Sequence, residues 1–349
     1  MLSSSRALRR WAAALLAVAL SVVLAACGGE SEGAAAPTAE KIPADGVYPR
    51  VVGHLYGFTE IAKEPERIVT LGLSDQDAVL ALGVKPVGAV DWFKEEPYGK
   101  WPWTKKLWGD QPPKIVGERD EYQMEKIAEL KPDLILAQYS GMKKEQYETL
   151  SEIAPVIAQP KDYEPYLAPW QVMTKQIGKA MGKTEQVDKL IGEIDTKFAE
   201  VGEAHPEWSD LTLAVADSFE AGKYSAFTED DPKAAFFAEL GFTLSAEVEK
   251  LAQEGSNVAE LAAEKLDVLD VDRLVWVTSG PEHEKRIQAE PLYRKLAVAK
   301  EKRDLFVPYE DPDIGAAFSF NTVLSIPYAI DEMGPLLAAE DNAAKAGDR

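Results

Sequence analysis

Cysteine is almost absent from this chain of 349 residues, with Cys27 the only one. A single thiol cannot close an internal disulfide, so the fold must rest on a hydrophobic core. Histidine is nearly as scarce: His54, His205 and His283 lie far apart in sequence. Transition-metal ions favour imidazole and thiolate ligands, which argues against a dedicated site for bare zinc or manganese. Each histidine is expected at the surface. Enzyme signatures are missing as well. Ser74 sits in Gly72-Leu73-Ser74-Asp75-Gln76, without the second glycine of a nucleophile elbow. No Gly-x4-Gly-Lys-Ser/Thr phosphate loop occurs, and no dinucleotide-binding glycine pattern follows the first strand. His283-Glu284 begins like a zinc-protease helix but lacks the second histidine.

Positive charge is also short. The chain carries 38 Lys+Arg against 59 Asp+Glu, a net charge of −21. Such an acidic body repels nucleic acid and anionic lipid, so neither is an expected partner of the folded part. Long apolar runs are lacking except near the start. Residues Met1–Arg10 carry Arg6, Arg9 and Arg10, and Trp11–Ala26 is apolar except for Ser21. A basic start, a short apolar middle and small residues at a cut site make a secretory signal. The middle is shorter than the roughly 20 residues of a membrane span.

Leu24-Ala25-Ala26-Cys27-Gly28 resembles the bacterial lipoprotein signal, in which the cysteine is lipidated and becomes the mature N-terminus. The alternative is an ordinary secreted protein whose cysteine lies near the cut by chance. Removing residues 1–26 takes three arginines and no acids, leaving 35 basic and 59 acidic residues and a net charge of −24. Residues 27–45 are mostly Gly, Ala, Glu, Ser and Pro, a composition that reads as a flexible tether.

The body is expected to be α/β. Arg67–Leu71 is a short β-branched run, Asp75–Leu82 a helix stopped by Gly83, and Val84–Val90 a second strand. An internal echo then divides the chain. Glu125-Lys126-Ile127 leads through Asp133 to the strand 133–137, and Glu264-Lys265-Leu266 leads through Asp272 to Leu274–Val277. Ser140-Gly141 and Ser279-Gly280 follow these strands at the same offset. Two similar lobes are implied. Between them, Val187, Leu190, Ile191, Ile194, Phe198 and Val201 line one face of a helix starting at Thr184, its expected N-cap. At 1.5 Å per residue it spans roughly 30 Å, enough to join both lobes. The boundaries expected are 46–183 for the first lobe, 184–204 for the connecting helix, 205–338 for the second lobe and 339–349 for a disordered tail.

Aromatic residues collect where strands pass into loops. Trp92 and Phe93 follow the second strand, with Trp101, Trp103 and Trp108 in the loop beyond. Tyr139 follows 133–137, Phe219 and Tyr224 follow Leu211–Ala216, and Phe318 and Phe320 follow Leu305–Val307. Ligands of open α/β sheets bind outside the carboxyl ends of the strands. These rings can line a site for a large, partly apolar ligand, or simply pack loops onto the sheet. Lys285 and Arg286, just past Ser279-Gly280-Pro281, can meet ligand oxygens in the same cleft or form a solvated charge run.

Pro65-Glu66-Arg67-Ile68-Val69, Ala81-Leu82-Gly83-Val84-Lys85-Pro86, and Met124-Glu125-Lys126-Ile127 with Leu130-Lys131-Pro132-Asp133 resemble motifs of the iron-siderophore/vitamin B12 substrate-binding proteins of ABC importers. The likeness runs from about Pro65 to Ile330. It implies two Rossmann-like lobes joined by one long α-helix, with the ligand cleft between the lobes. It further implies a lipid-anchored, extracytoplasmic and monomeric binding protein, without catalysis or resident cofactor, that delivers a ferric siderophore to a permease and its ATPase. Glu125 and Glu264 match the family's permease-docking glutamates. Cobalamin or haem are the alternative ligands, and a two-lobed metallochelatase or hydrolase, or an adhesion module, the readings of another class. A hydroxamate siderophore is preferred to a catecholate, whose ferric complex is strongly anionic and needs several cleft Arg or Lys.

Overall fold

A computed structural model describes residues 43–91 and 101–347, with side chains to residue 339. Within it, six strands form a first sheet in the spatial order Glu121–Tyr122, Lys114–Glu118, Gly88–Asp91, Ile68–Thr70, Leu134–Ala137 and Val156–Ala158. All neighbours run parallel except the first pair. Ile68, Val69 and Thr70 lie opposite Leu134, Ile135 and Leu136, every one of them buried. Near-continuous apolar runs are what a parallel sheet covered on both faces requires.

The second sheet has the order Val258–Ala262, Lys223–Phe227, Thr212–Glu220, Arg273–Thr278 and Asp304–Pro308, with Thr243–Leu244 added beside the start of Thr212–Glu220. Its last three strands are parallel, and its first three pair antiparallel. Two α/β lobes thus lie either side of the helix Thr184–Ala204.

The echo in the sequence has a structural basis. The Asp133 carboxylate accepts the backbone N–H of Glu66 and Arg67, at 2.8 Å for the latter, where the strand Ile68–Thr70 begins. In the second lobe Asp272 accepts the N–H of Thr212, the first residue of its central strand, at 2.9 Å. Each lobe therefore ties the entry of one strand to the Asp leading the next. The preceding segments differ: Met124–Glu129 is α-helical, whereas Ala263–Leu269 is a 3₁₀ turn.

Several boundaries differ from expectation. The second strand is only Gly88–Asp91, because Pro86 cannot donate to a central ladder. The connecting helix is not capped by Thr184. Asp45 accepts the N–H of Thr184 and Glu185, each at 2.8 Å, and supplies from 139 residues away the anion that the helix start requires. Arg50, wholly buried, bonds the carbonyls of Pro43, Ala44, Val47 and Lys179, so residues 43–45 are fastened to the body rather than to a free tether. At the other end the helix Ser325–Gly347 continues into the expected tail as far as Gly347, where Ala339, Ala343, Ala344 and Ala346 favour helix.

One apolar core runs from the first sheet through Ile191, Ile194 and Phe198 of the connecting helix to Phe236 and Phe318 of the second lobe. A second core, including Trp276 and Tyr293, lies under the second sheet.

Candidate functional site

The carboxyl ends of the parallel strands of both sheets meet at a cleft between the lobes. Its first-lobe wall is organised by Asp75, at the first turn of the helix Asp75–Ala81. The Asp75 carboxylate accepts the N–H of Gln138 at 2.7 Å and of Tyr139 at 3.1 Å, pinning the loop after Leu134–Ala137. Burial pushes this carboxyl up to about 6 despite those bonds. Gly72 is required beside it, since a Cβ there would fall 2.3 Å from the Asp75 oxygens.

Tyr139 is held with its ring edge-on to Tyr166, centroids 5.3 Å apart. Asp120 gathers this wall: it accepts the hydroxyls of Tyr166 and Tyr122 and the N–H of Gly141. Burial, and then Asp231 of the opposite lobe, raise the Tyr139 phenol far above its ordinary range, so it stays neutral and a hydrogen-bond donor. Trp101 stacks on Trp103 at 5.1 Å and 9°, and meets Tyr309 and Phe320 of the second lobe edge-on at 6.3 and 5.6 Å. Trp103 donates its Nε1–H to Asp77 at 3.1 Å, and Thr322 donates its hydroxyl to the same oxygen at 2.6 Å. Asp77 is buried, and desolvation lifts it to about 7.

On the second-lobe wall, Phe219 is 72% exposed, its ring 5.9 Å from that of His283. The Nδ1 of His283 accepts the N–H of Ser279 at 3.0 Å, which leaves Nε2–H to donate to the Ser218 carbonyl. Arg286 donates to that carbonyl too. Asp217 is lifted to about 7 by burial, against the pull of Lys233. Lys233 itself pairs with Asp231 at 3.0 Å and lies over the Phe227 ring.

Of the sequence candidates, the structure brings Trp101, Trp103 and Tyr139 to the lobe junction, and Phe219 and Arg286 to the end of the strand Thr212–Glu220. Trp92 and Phe93 lie outside the described residues. Three others need correction. Tyr224 is buried under the second sheet, edge-on to Trp276, because the hairpin strand Lys223–Phe227 alternates Tyr224 and Ala226 into the second core. Phe318 is fully buried, stacked on Phe236 at 5.7 Å, since the helix Ile314–Phe320 turns it inward. Lys285 is exposed and pairs with Glu282 at 2.7 Å, one turn back on its own helix. The histidines also depart from expectation, with His54 and His283 buried. Sequence reasoning passed over Tyr166, Asp120 and Tyr309. Tyr309 directly follows a strand end and meets the rule that selected Tyr139. Tyr166 and Asp120 carry no such signal.

Glu125 and Glu264 are both exposed, each in the first turn of the segment before its lobe's Asp-led strand. Among the described residues no group of three or more His, Cys, Asp or Glu is placed to hold a metal ion, and no helix is long and apolar enough to cross a membrane.

The family described as periplasmic binding protein is matched across residues 68–307. A putative ABC transporter substrate-binding lipoprotein, YhfQ of Bacillus subtilis, is 32% identical over 207 residues, covering 58% of this chain and 59% of its own length, under two thirds of the relative. Among solved structures, a periplasmic solute-binding protein from Mycobacterium smegmatis is 32% identical with a TM-score of 0.74, covering 83% of this chain and 98% of its own. Streptococcus pneumoniae PiaA, solved in complex with ferrichrome, is 30% identical with a TM-score of 0.70, covering 84% of this chain and 98% of its own.

Proposed function

The chain belongs to the periplasmic binding protein family, and on that premise we propose that it captures a ferric siderophore outside the cytoplasm and delivers it to an ABC importer. The observation that carries this reading is the aromatic cluster where the lobes meet, with Trp101 of one lobe in ring contact with Tyr309 and Phe320 of the other, and Tyr139 near Asp231. The likeness to a protein solved with ferrichrome supports it. Such a site binds rather than transforms. Rings contribute contact area, and neutral phenols donate to the oxygens that surround a chelated metal.

A hydroxamate complex suits the described walls better than a catecholate. Lys233 is paired with Asp231, Arg286 serves the Ser218 carbonyl and Lys285 pairs with Glu282, so these three cations are engaged, and Arg119 beside Tyr139 and Tyr166 is a further cation of the first-lobe wall. Trp101, Trp103, Tyr139, Phe219 and Arg286 remain the proposed contacts, with Trp92 and Phe93. Lipid on Cys27 would hold the body near the permease and raise its effective concentration there. Glu125 and Glu264, one per lobe, would let the permease engage both lobes at once.

Tryptophan fluorescence tests the reading, because Trp101 and Trp103 lie at the proposed site. Submicromolar ferric trihydroxamate is expected to quench it. No response across ferric hydroxamate, catecholate and citrate complexes, haem and cobalamin would remove the siderophore class.

A further inference from the structure

The strand Thr212–Glu220 is irregular near its carboxyl end. Its antiparallel pairing with Lys223–Phe227 sets Asp217 opposite Ser225 and Glu220 opposite Lys223, so Ser218 and Phe219 together oppose Tyr224. An extra residue of this kind is a β-bulge, which bends the strand, re-aims a side chain and interrupts the ladder. The side chain re-aimed here is Phe219, 72% exposed at the sheet edge where ligands of open α/β folds bind.

The carbonyl of the bulge is met from the helix Pro281–Ala289. His283 donates to the Ser218 oxygen through Nε2–H and Arg286 through its guanidinium, which takes both lone pairs. The Ser218 hydroxyl donates to the Lys223 carbonyl at 2.8 Å and closes the bulge from the partner strand. His283 is 5% exposed, and its Nδ1 accepts the Ser279 N–H at 3.0 Å. Desolvation holds the imidazole below its ordinary range, so it is neutral and Nε2 carries the proton. A buried polar ring costs free energy unless its nitrogens are bonded. Both nitrogens of His283 are bonded to backbone, one at the loop after Arg273–Thr278 and one at the bulge. The imidazole is thus a strut between two strand ends, with its ring 5.9 Å from that of Phe219.

We infer that His283 is a positioning residue for ligand binding: by fixing the Ser218 carbonyl, it sets the direction in which the bulge presents the Phe219 ring to the ligand. The inference rests on the siderophore reading above. It makes one wall of the site depend on a buried imidazole.

A double-mutant cycle reads the coupling, since a residue that acts only through Phe219 has no effect once that ring is gone. The full chain is titrated, by tryptophan fluorescence, with whichever of ferrioxamine B, ferric enterobactin and ferric citrate it binds most tightly. Phe219→Ala is expected to weaken binding about tenfold and His283→Asn about fivefold, whereas the double variant should stay near tenfold. Asparagine keeps an acceptor for Ser279 but is too short to reach Ser218. His283→Gln reaches it with an amide N–H and should bind within about twofold of the native chain. Ser218→Ala opens the bulge from its other side; it should weaken binding as His283→Asn does, and it serves in place of that variant if the latter fails to fold. Losses that multiply to about fiftyfold in the double variant would overturn the inference, because His283 would then act apart from Phe219. Native affinity in both His283→Asn and Ser218→Ala, or in Phe219→Ala, would overturn it as well and leave the siderophore reading standing. Binding of no ferric complex by the native chain removes that reading and this inference with it.

Discussion

Replacing Asp77 with Asn probes the buried junction between the lobes. The Asp77 carboxyl lies in the first turn of Asp75–Ala81 and receives Trp103 Nε1–H and Thr322 Oγ1–H on one oxygen. Burial outweighs those two bonds and raises the group from 3.8 to about 7. The folded state therefore holds a proton that the unfolded chain has released, and stability falls as pH climbs from about 4 to about 7, then levels off. At ~1.36 kcal/mol per pH unit, the ionised form costs about 4 kcal/mol at pH 8. Asparagine keeps the acceptor oxygen for Trp103 and Thr322 and cannot ionise. Thermal and urea unfolding at pH 5 and pH 8 are the assays. The variant should match the native protein at the lower pH and exceed it at the higher, by about 8 °C at roughly 2 °C per kcal/mol for a chain of this size. An Asp77→Asn variant that is less stable at pH 8 than the native protein would refute the reasoning, for it would mean that the charged carboxylate is the stabilised form.

Two further tests separate packing from function. Phe318→Ala should cost about 3–5 kcal/mol in urea unfolding, because the ring is fully buried against Phe236 and Phe237. Phe219→Ala, at a 72% exposed position, should change stability by less than about 0.5 kcal/mol while weakening ligand binding. An unchanged affinity removes Phe219 from the site. Replacing Glu125 and Glu264 together by Ala should abolish uptake in cells while leaving ligand affinity and unfolding midpoint unaltered. Uptake that persists refutes the docking assignment.

Much of the architecture was legible because it depends on short-range patterns. The β-branched run Arg67–Leu71 and the helix and strand that follow it identified an α/β body, and the 3–4 spacing from Val187 to Val201 identified the helix between the lobes. The repeated Asp133 and Asp272 were visible because each lobe fastens its strand entry with the same side chain at the same place. The strand-end rule also selected Trp101 and Tyr139, which the structure places where the lobes meet. It failed for Tyr224 and Phe318, since position after a strand says nothing about which face of the next hairpin or helix turns inward. The N-cap at Thr184 failed for a related reason. A helix start needs an acceptor, but Asp45 can supply it from any distance along the chain.

By itself, then, the amino-acid sequence determined the α/β class, the doubling of the lobes, the helix that joins them and the scarcity of cysteine and histidine ligands. These follow from composition and periodicity, which act within a few residues. Only the tertiary structure decided that Asp75 pins Tyr139, that Asp77 is shared by Trp103 and Thr322, and that His283 and Arg286 meet on the Ser218 carbonyl. Such relations join residues as many as 245 positions apart. Burial and hydrogen bonding between them are set by how the lobes meet, and no local pattern carries that information.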